Sequence, residues 1–133
     1  MVLQINKGLF IKALTRAIYK TYYAEIVKNT PGKGIVADGW DVVSSVDEIK
    51  IVNPEYGEIV TYLEYGTNPH IIRAKNKKSL RWQVGPGDKF AFAKSVKHPG
   101  IKARKFIHNV LEDPTVHKNF EKELEIEIKK LLI

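Results

Sequence analysis

Four histidines, His70, His98, His108 and His117, are the side chains best suited to metal or proton chemistry. No two of them stand four residues apart, as paired ligands on one helix face would, and zinc normally draws three or four ligands from recognisable spacings. His70 follows a proline where a strand would start, and His98 precedes one where a helix would start, so structural roles suit both. They would still meet if their strands paired, and a small nuclease-like enzyme built on the two is one reading of the chain. Nucleophilic catalysis finds no footing. There is no cysteine, and Ser44, Ser45, Ser79 and Ser95 lie outside any Gly-x-Ser-x-Gly elbow. Gly85-Pro86-Gly87 lacks the length and the Lys-Ser/Thr ending of a phosphate-cradling loop and reads as a turn.

The other chemical constellation is cationic. Arg73, Lys75, Lys77, Lys78 and Arg81 precede Trp82, with Phe90 and Phe92 close behind. Basic residues interleaved with aromatics can make a platform for single-stranded nucleic acid. Trp82 alternates with Arg81 and Gln83, however, as a core residue of a half-buried strand does, and is expected inside. That leaves a basic loop able to contact phosphates without reading bases. The charge distribution sharpens this point. Residues 70–105 hold 11 Lys/Arg and one acid, Asp88, whereas residues 1–69 hold 7 Lys/Arg against 8 acids and residues 106–133 hold 4 against 6. So lopsided a field attracts a polyanion or an acidic protein surface, unless it is only a solvated face.

The elements that must position these residues follow from periodicity. The length of 133 residues suits one domain spanning 1–133, and 44% hydrophobic with 28% charged residues describes a globular chain. Without cysteines it must hold by packing alone. The opening segment, broken by Lys7, Lys12 and Arg16, reads as no signal peptide, and no apolar run reaches the roughly 20 residues needed to cross a bilayer. Ile5, Leu9, Ala13, Ala17, Ile18, Tyr22 and Ile26 predict an amphipathic helix over 4–28, stopped by Thr30-Pro31-Gly32. Residues 30–39 read as a loop. Strands are expected near 40–46 and 48–53, and another over 58–65, the last two joined as a hairpin by Asn53-Pro54-Glu55-Tyr56-Gly57. Alternation places Glu64 opposite Leu63 and Tyr65, either pairing with a cation across a strand or interface or facing solvent. Further strands are expected at Ile71-Ile72, Leu80–Val84, Phe90–Phe92 and Val96. A short helix follows from Phe106. Asp113-Pro114 then caps a last helix whose acids, Glu121, Glu123, Glu125 and Glu127, come early and whose Lys129 and Lys130 come late, complementing the helix dipole. The expected class is α+β: a long N-terminal helix, an antiparallel sheet of four to five strands, and C-terminal helices packed on one face.

Three stretches carry a resemblance. Tyr62-Leu63-Glu64-Tyr65-Gly66-Thr67, leading into Pro69-His70-Ile71-Ile72, is the first. Phe92-Ala93-Lys94 followed by His98-Pro99-Gly100 is the second, and Ala103-Arg104-Lys105-Phe106 opening the 103–111 stretch is the third. In this order, with these elements between them, they resemble the minor tail component family of tailed phages typified by the Hong Kong lambdoid phages, which is related to head–tail joining and tail-completion proteins. The likeness covers about residues 5–112. It departs from the family in the 30–39 loop, where only Thr30-Pro31 and Asp38-Gly39-Trp40 echo the usual pattern and no arginine occurs.

The resemblance implies a virion structural subunit without catalysis or cofactor. Such a subunit is made in the host cytoplasm and works as part of a homo-oligomeric, hexameric ring in the neck or tail, touching neighbouring neck or tail proteins. Double-stranded DNA passes through the ring, with no membrane and no small-molecule substrate involved. Arg73, Lys75, Lys77, Lys78 and Arg81 would then face the channel or an acidic neighbour. Lysine, a point charge, suits a lumen through which DNA must slide better than the directional arginine fork does. Subunit-interface candidates are Tyr62, Glu64, Tyr65, Gly66, Thr67, Pro69, His70, His98, Pro99 and Gly100. An independent nucleic-acid-binding module is the alternative.

Overall fold

The computed structural model describes residues 6–32, 34–75, 79–83 and 90–132. The N-terminal rod starts at Asn6, whose side-chain oxygen accepts from the Gly8 and Leu9 N–H groups at 2.8 and 3.3 Å. It runs through α1 (Lys7–Ile18), a π-helical turn (Tyr19–Tyr23) and α2 (Ala24–Asn29). Thr30 stops it. The Thr30 hydroxyl donates to the Ile26 carbonyl at 2.6 Å and accepts from the buried Trp40 indole at 2.9 Å, so the end of the rod is tied to the core. The expected 30–39 loop contains a short helix, α3 (Ile35–Asp38).

Strands β1 (Asp41–Ser44) and β2 (Ile49–Val52) pair antiparallel, Asp41 opposite Val52. The next segment corrects the sequence reading. Residues expected as a strand over 58–65 form α4 (Gly57–Tyr65), so the hairpin partner of β2 is β1. The run Ile59-Val60-Thr61-Tyr62 is β-prone in composition, but such propensities are weak against tertiary packing. In helical form Val60, Leu63 and Glu64 share one face, and Val60 joins Phe106 and Val110 in the core.

Beyond α4, β3 (His70–Arg73) pairs with β6 (Ser95–His98), and β4 (Leu80–Gln83) pairs with β5 (Phe90–Ala93), both antiparallel. α5 (Phe106–Glu112) and α6 (Pro114–Leu131) close the chain, with the Asp113 carboxylate accepting from the Thr115 N–H at 2.9 Å and Pro114 in the first turn, as expected. The α+β class, the long first helix, the antiparallel strands and the packed C-terminal helices all hold. The described strands do not merge into a single sheet of four to five; they form three separate two-stranded pairs.

The core is small: Ile26, Trp40, Val60, Phe106, Val110 and Val116 cluster together, flanked by Tyr22, Tyr23, Ile51 and Leu63. α6 runs antiparallel to α1, an approach that the buried Ala13 and Ala17 permit because they carry only a methyl group. The Tyr22 hydroxyl meets His117 Nδ1 at 2.9 Å. Glu127, grouped in the sequence with the dipole-complementing acids of the last helix, points into this seam with 1% of its side chain exposed. Lys20 and Lys130 reach one of its oxygens at 3.2 and 3.3 Å, and Arg16 lies 3.7 Å from the other. These contacts hold its carboxyl below the usual glutamate range, the Lys20 hydrogen bond most strongly, against the upward push of burial. No described helix is long and apolar enough to cross a membrane.

Candidate functional site

Parts of all three motif stretches, dispersed over 50 residues of sequence, meet at one junction, whereas Phe92-Ala93-Lys94 of the second lies away from it, on and just after β5. α4 ends at Gly66, whose φ of 75° and ψ of 176° lie in a region essentially reserved for glycine. A Cβ there would sit 2.6 Å from the Ile101 carbonyl oxygen and 2.7 Å from the Ala103 nitrogen. Gly100, at φ 87°, faces it across the crossing, and a Cβ there would collide with the Thr67 carbonyl. The two glycines let Thr67 and Ile101 bridge, Thr67 N–H donating to Ile101 O at 2.8 Å and Ile101 N–H to Thr67 O at 3.2 Å.

Glu64 completes the junction. Its buried carboxylate accepts from the Ile107 and His108 N–H groups at 2.8 and 3.0 Å, and its own carbonyl accepts from the Lys105 N–H at 3.2 Å. Lys105, at the N-cap of α5, takes a left-handed conformation and provides no side-chain cap. A carboxylate from α4 therefore caps α5 across 43 residues of sequence. This corrects two expectations: Glu64 is neither solvent-facing nor free to make an intersubunit contact. The remaining interface candidates divide. Tyr62, Tyr65, Pro69, His70 and Pro99 are exposed, Tyr65 to 77%. Gly66, Thr67, His98 and Gly100 are half-buried in the crossing itself.

The junction launches an arm, residues 70–98. Its base is β3–β6 and its outer part β4–β5. Six residues, 74–79, lie between β3 and β4, against Lys94 alone between β5 and β6. The start of the basic stretch is tied to the turn between β5 and β6 by the Ala74 N–H donating to Lys94 O at 3.1 Å. Arg73, Lys75 and Arg81 are exposed; Lys77 and Lys78 lie outside the described residues. Arg81 stacks its guanidinium over Phe90, 4.4 Å from the ring centroid. Trp82, expected in the core, is 40% exposed, and Phe92 is 64% exposed. Among the described residues no further strand pairs with β4–β5 and both of its faces carry exposed aromatics, so alternation selects between two outer faces rather than between inside and outside. Phe92 and Arg81 occupy one face; Trp82 and Ala91 the other. Ile71 and Ile72, on the two faces of the base, are also exposed.

At the arm's base His70 and His98 do meet: they are register partners with rings stacked 4.9 Å apart. His98 Nδ1 accepts from the Gly100 N–H at 3.0 Å, and His70 Nδ1 donates to the Asn68 carbonyl at 2.8 Å. With Tyr62, Thr67, Asn68 and Ile101 they line a cleft of about 420 Å³. Each imidazole thus has one nitrogen engaged by local backbone. Among the described residues no group of three or more His, Asp or Glu side chains gathers to hold a metal.

A second surface escaped the sequence reading because its residues come from four elements. Ile18, Tyr22, Trp40, Ile49, Ile107 and Leu111 line an open apolar groove of about 400 Å³ on the helical body. Exposed Glu48 and Glu112 adjoin two of the lining residues in sequence. Burial pushes the Tyr22 hydroxyl up, and the charge of Glu121 pushes it further; burial also raises Tyr23, with Tyr19, Asp41 and Asp38 adding to the effect.

No family model, curated protein or solved structure matches the chain. Its function has to be argued from the junction, the ribbon and the groove.

Proposed function

We propose that this chain is a non-enzymatic structural subunit of a tailed virus or provirus, a head–tail joining or tail-completion protein that assembles into a ring around the DNA channel. The observation that carries the reading is that Tyr62–Thr67, His98–Gly100 and the start of the 103–111 stretch, the greater part of the three family-like motifs, meet at one junction, beside which β3–β6 and β4–β5 expose basic and apolar side chains. A two-stranded ribbon is marginal by itself in water. An apolar surface left open beyond a small core calls for a neighbour. The Glu64 cap and the Gly66–Gly100 crossing fix the direction in which the chain leaves the body, which an assembling subunit needs. Arg73, Lys75 and Arg81 give this region exposed positive charge that passing DNA or an acidic neighbour can meet.

The test is sedimentation of the purified protein together with negative-stain microscopy. Closed rings with a central opening are the expected result. A monomer that binds duplex DNA at about micromolar affinity or better, with a steep loss in salt, would replace the proposal with an independent nucleic-acid-binding module. The exposure of Trp82 and Phe92 beside Arg81 is the feature that favours this second reading, since base stacking needs open aromatic faces.

A further inference from the structure

The ribbon and the groove have complementary properties that one copy of the chain does not combine. Residues 70–98 carry eight Lys/Arg against Asp88, and residues 34–63 carry six acids against Lys50. Among the described residues, no arm cation forms an ion pair with a carboxylate, and Asp38, Asp41, Asp47, Glu55 and Glu58 form none with a lysine or arginine. Opposite charges are therefore separated within the subunit. The apolar surfaces are separated as well: the groove is lined by the body alone, and Phe92 and Phe90 on the arm face outward.

We propose that the arm of one copy seats Phe92 and Phe90 in the groove of the next, while its cations meet the exposed acids of residues 34–63 on that neighbour. This rests on the reading of the chain as a self-assembling subunit. Donor and acceptor surfaces are different patches, so the contact is head-to-tail, the kind that closes into rings or runs on as filaments. A protein occupant fits better than nucleic acid. Ile71 and Ile72 are exposed on the same arm, and aliphatic side chains gain from an apolar partner but offer bases nothing to stack on. The arm's aromatics are also divided between its two faces, whereas a single-strand platform gathers them on one.

The cysteine-free sequence makes the test clean. Phe92→Cys and Leu111→Cys are made in separate chains; both positions are more than half exposed, so folding should survive. The two are mixed under mild oxidation. The expected result is a mixed disulfide dimer well above either variant alone, and a ladder of oligomers from the double variant, because a disulfide forms only when Cα atoms come within about 7 Å. Phe92→Ala should weaken association roughly thirtyfold, as loss of a buried aromatic anchor does. Added salt should weaken it further. An oligomer that forms no Phe92→Cys–Leu111→Cys link overturns the docking geometry and leaves self-assembly standing. A protein that stays monomeric at every soluble concentration overturns both. Quenching of Trp82 fluorescence by a single-stranded oligonucleotide, with cross-linking abolished, gives the arm to nucleic acid instead.

Discussion

Removing the Glu64 carboxylate should detach α5 from α4 and destabilise the whole chain, although nothing about Glu64 in the sequence marks it as structural. The carboxylate is 5% exposed and receives two backbone N–H groups at 2.8 and 3.0 Å. A hydrogen bond to a charged group contributes about 1.5–3 kcal/mol, and loss of a helix N-cap alone costs up to about 2 kcal/mol. Water entering the vacated space restores part of this for the freed amides, so Glu64→Ala should cost about 3 kcal/mol. For a domain of this size each kcal/mol lowers Tm by about 4 °C, which predicts a fall of about 12 °C. Glu64→Gln keeps the shape and one acceptor oxygen and should cost about half as much. Glu58→Ala, exposed in the first turn of α4, is the control and should stay within about 0.5 kcal/mol of wild type. Circular dichroism melts measure the global effect; amide exchange at Ile107 and His108 should accelerate more than exchange in α6. A Glu64→Ala melt within about 1 °C of wild type would refute the cap as a major contribution.

Two further perturbations probe the junction and the seam. Gly66→Ala and Gly100→Ala each force a Cβ into backbone of the facing segment, and Gly66 also sits in glycine-only conformational space, so each should cost about 3 kcal/mol or more; unchanged urea midpoints for both would remove the crossing from the account. Glu127 titrates below its ordinary value when folded, so its contribution is present above the unfolded glutamate value and lost as pH falls through the folded one. Melting curves between about pH 6 and pH 3 should fall less steeply for Glu127→Gln than for wild type, and parallel curves would sever Glu127 from the acid response.

The helices at both ends of the chain were legible because their signals are local. The apolar stripe from Leu9 to Ile26, the Thr30-Pro31 stop and the Asp113-Pro114 cap act within a turn or two of the residues they organise. The 58–65 segment was misread because its β-branched and aromatic residues suit a strand, and only the position of Phe106 and Val110 makes the helical face of Val60 and Leu63 the better burial. Trp82 was misread for a related reason: alternation reports that two faces differ in composition, not that either is covered. The sequence offers the meeting of His70 with His98 only on the condition that their strands pair; the register that sets them opposite each other is a property of the fold.

By itself, then, the sequence determined the α+β class, both terminal helices, and the concentration of positive charge in residues 70–105. Each of these depends on composition or on contacts between residues near one another in the chain. Tertiary structure alone decided that Glu64 and Glu127 point inward, that Gly66-Thr67 and Gly100-Ile101 meet at one crossing, and that the described strands form three separate pairs. A carboxylate's fate depends on which donors the fold brings to it; the donors for Glu64 lie 43 and 44 residues away along the chain, and the first of those for Glu127 lies 107 away. No local pattern carries that information, because the free energy that selects it arises only when distant segments are packed together.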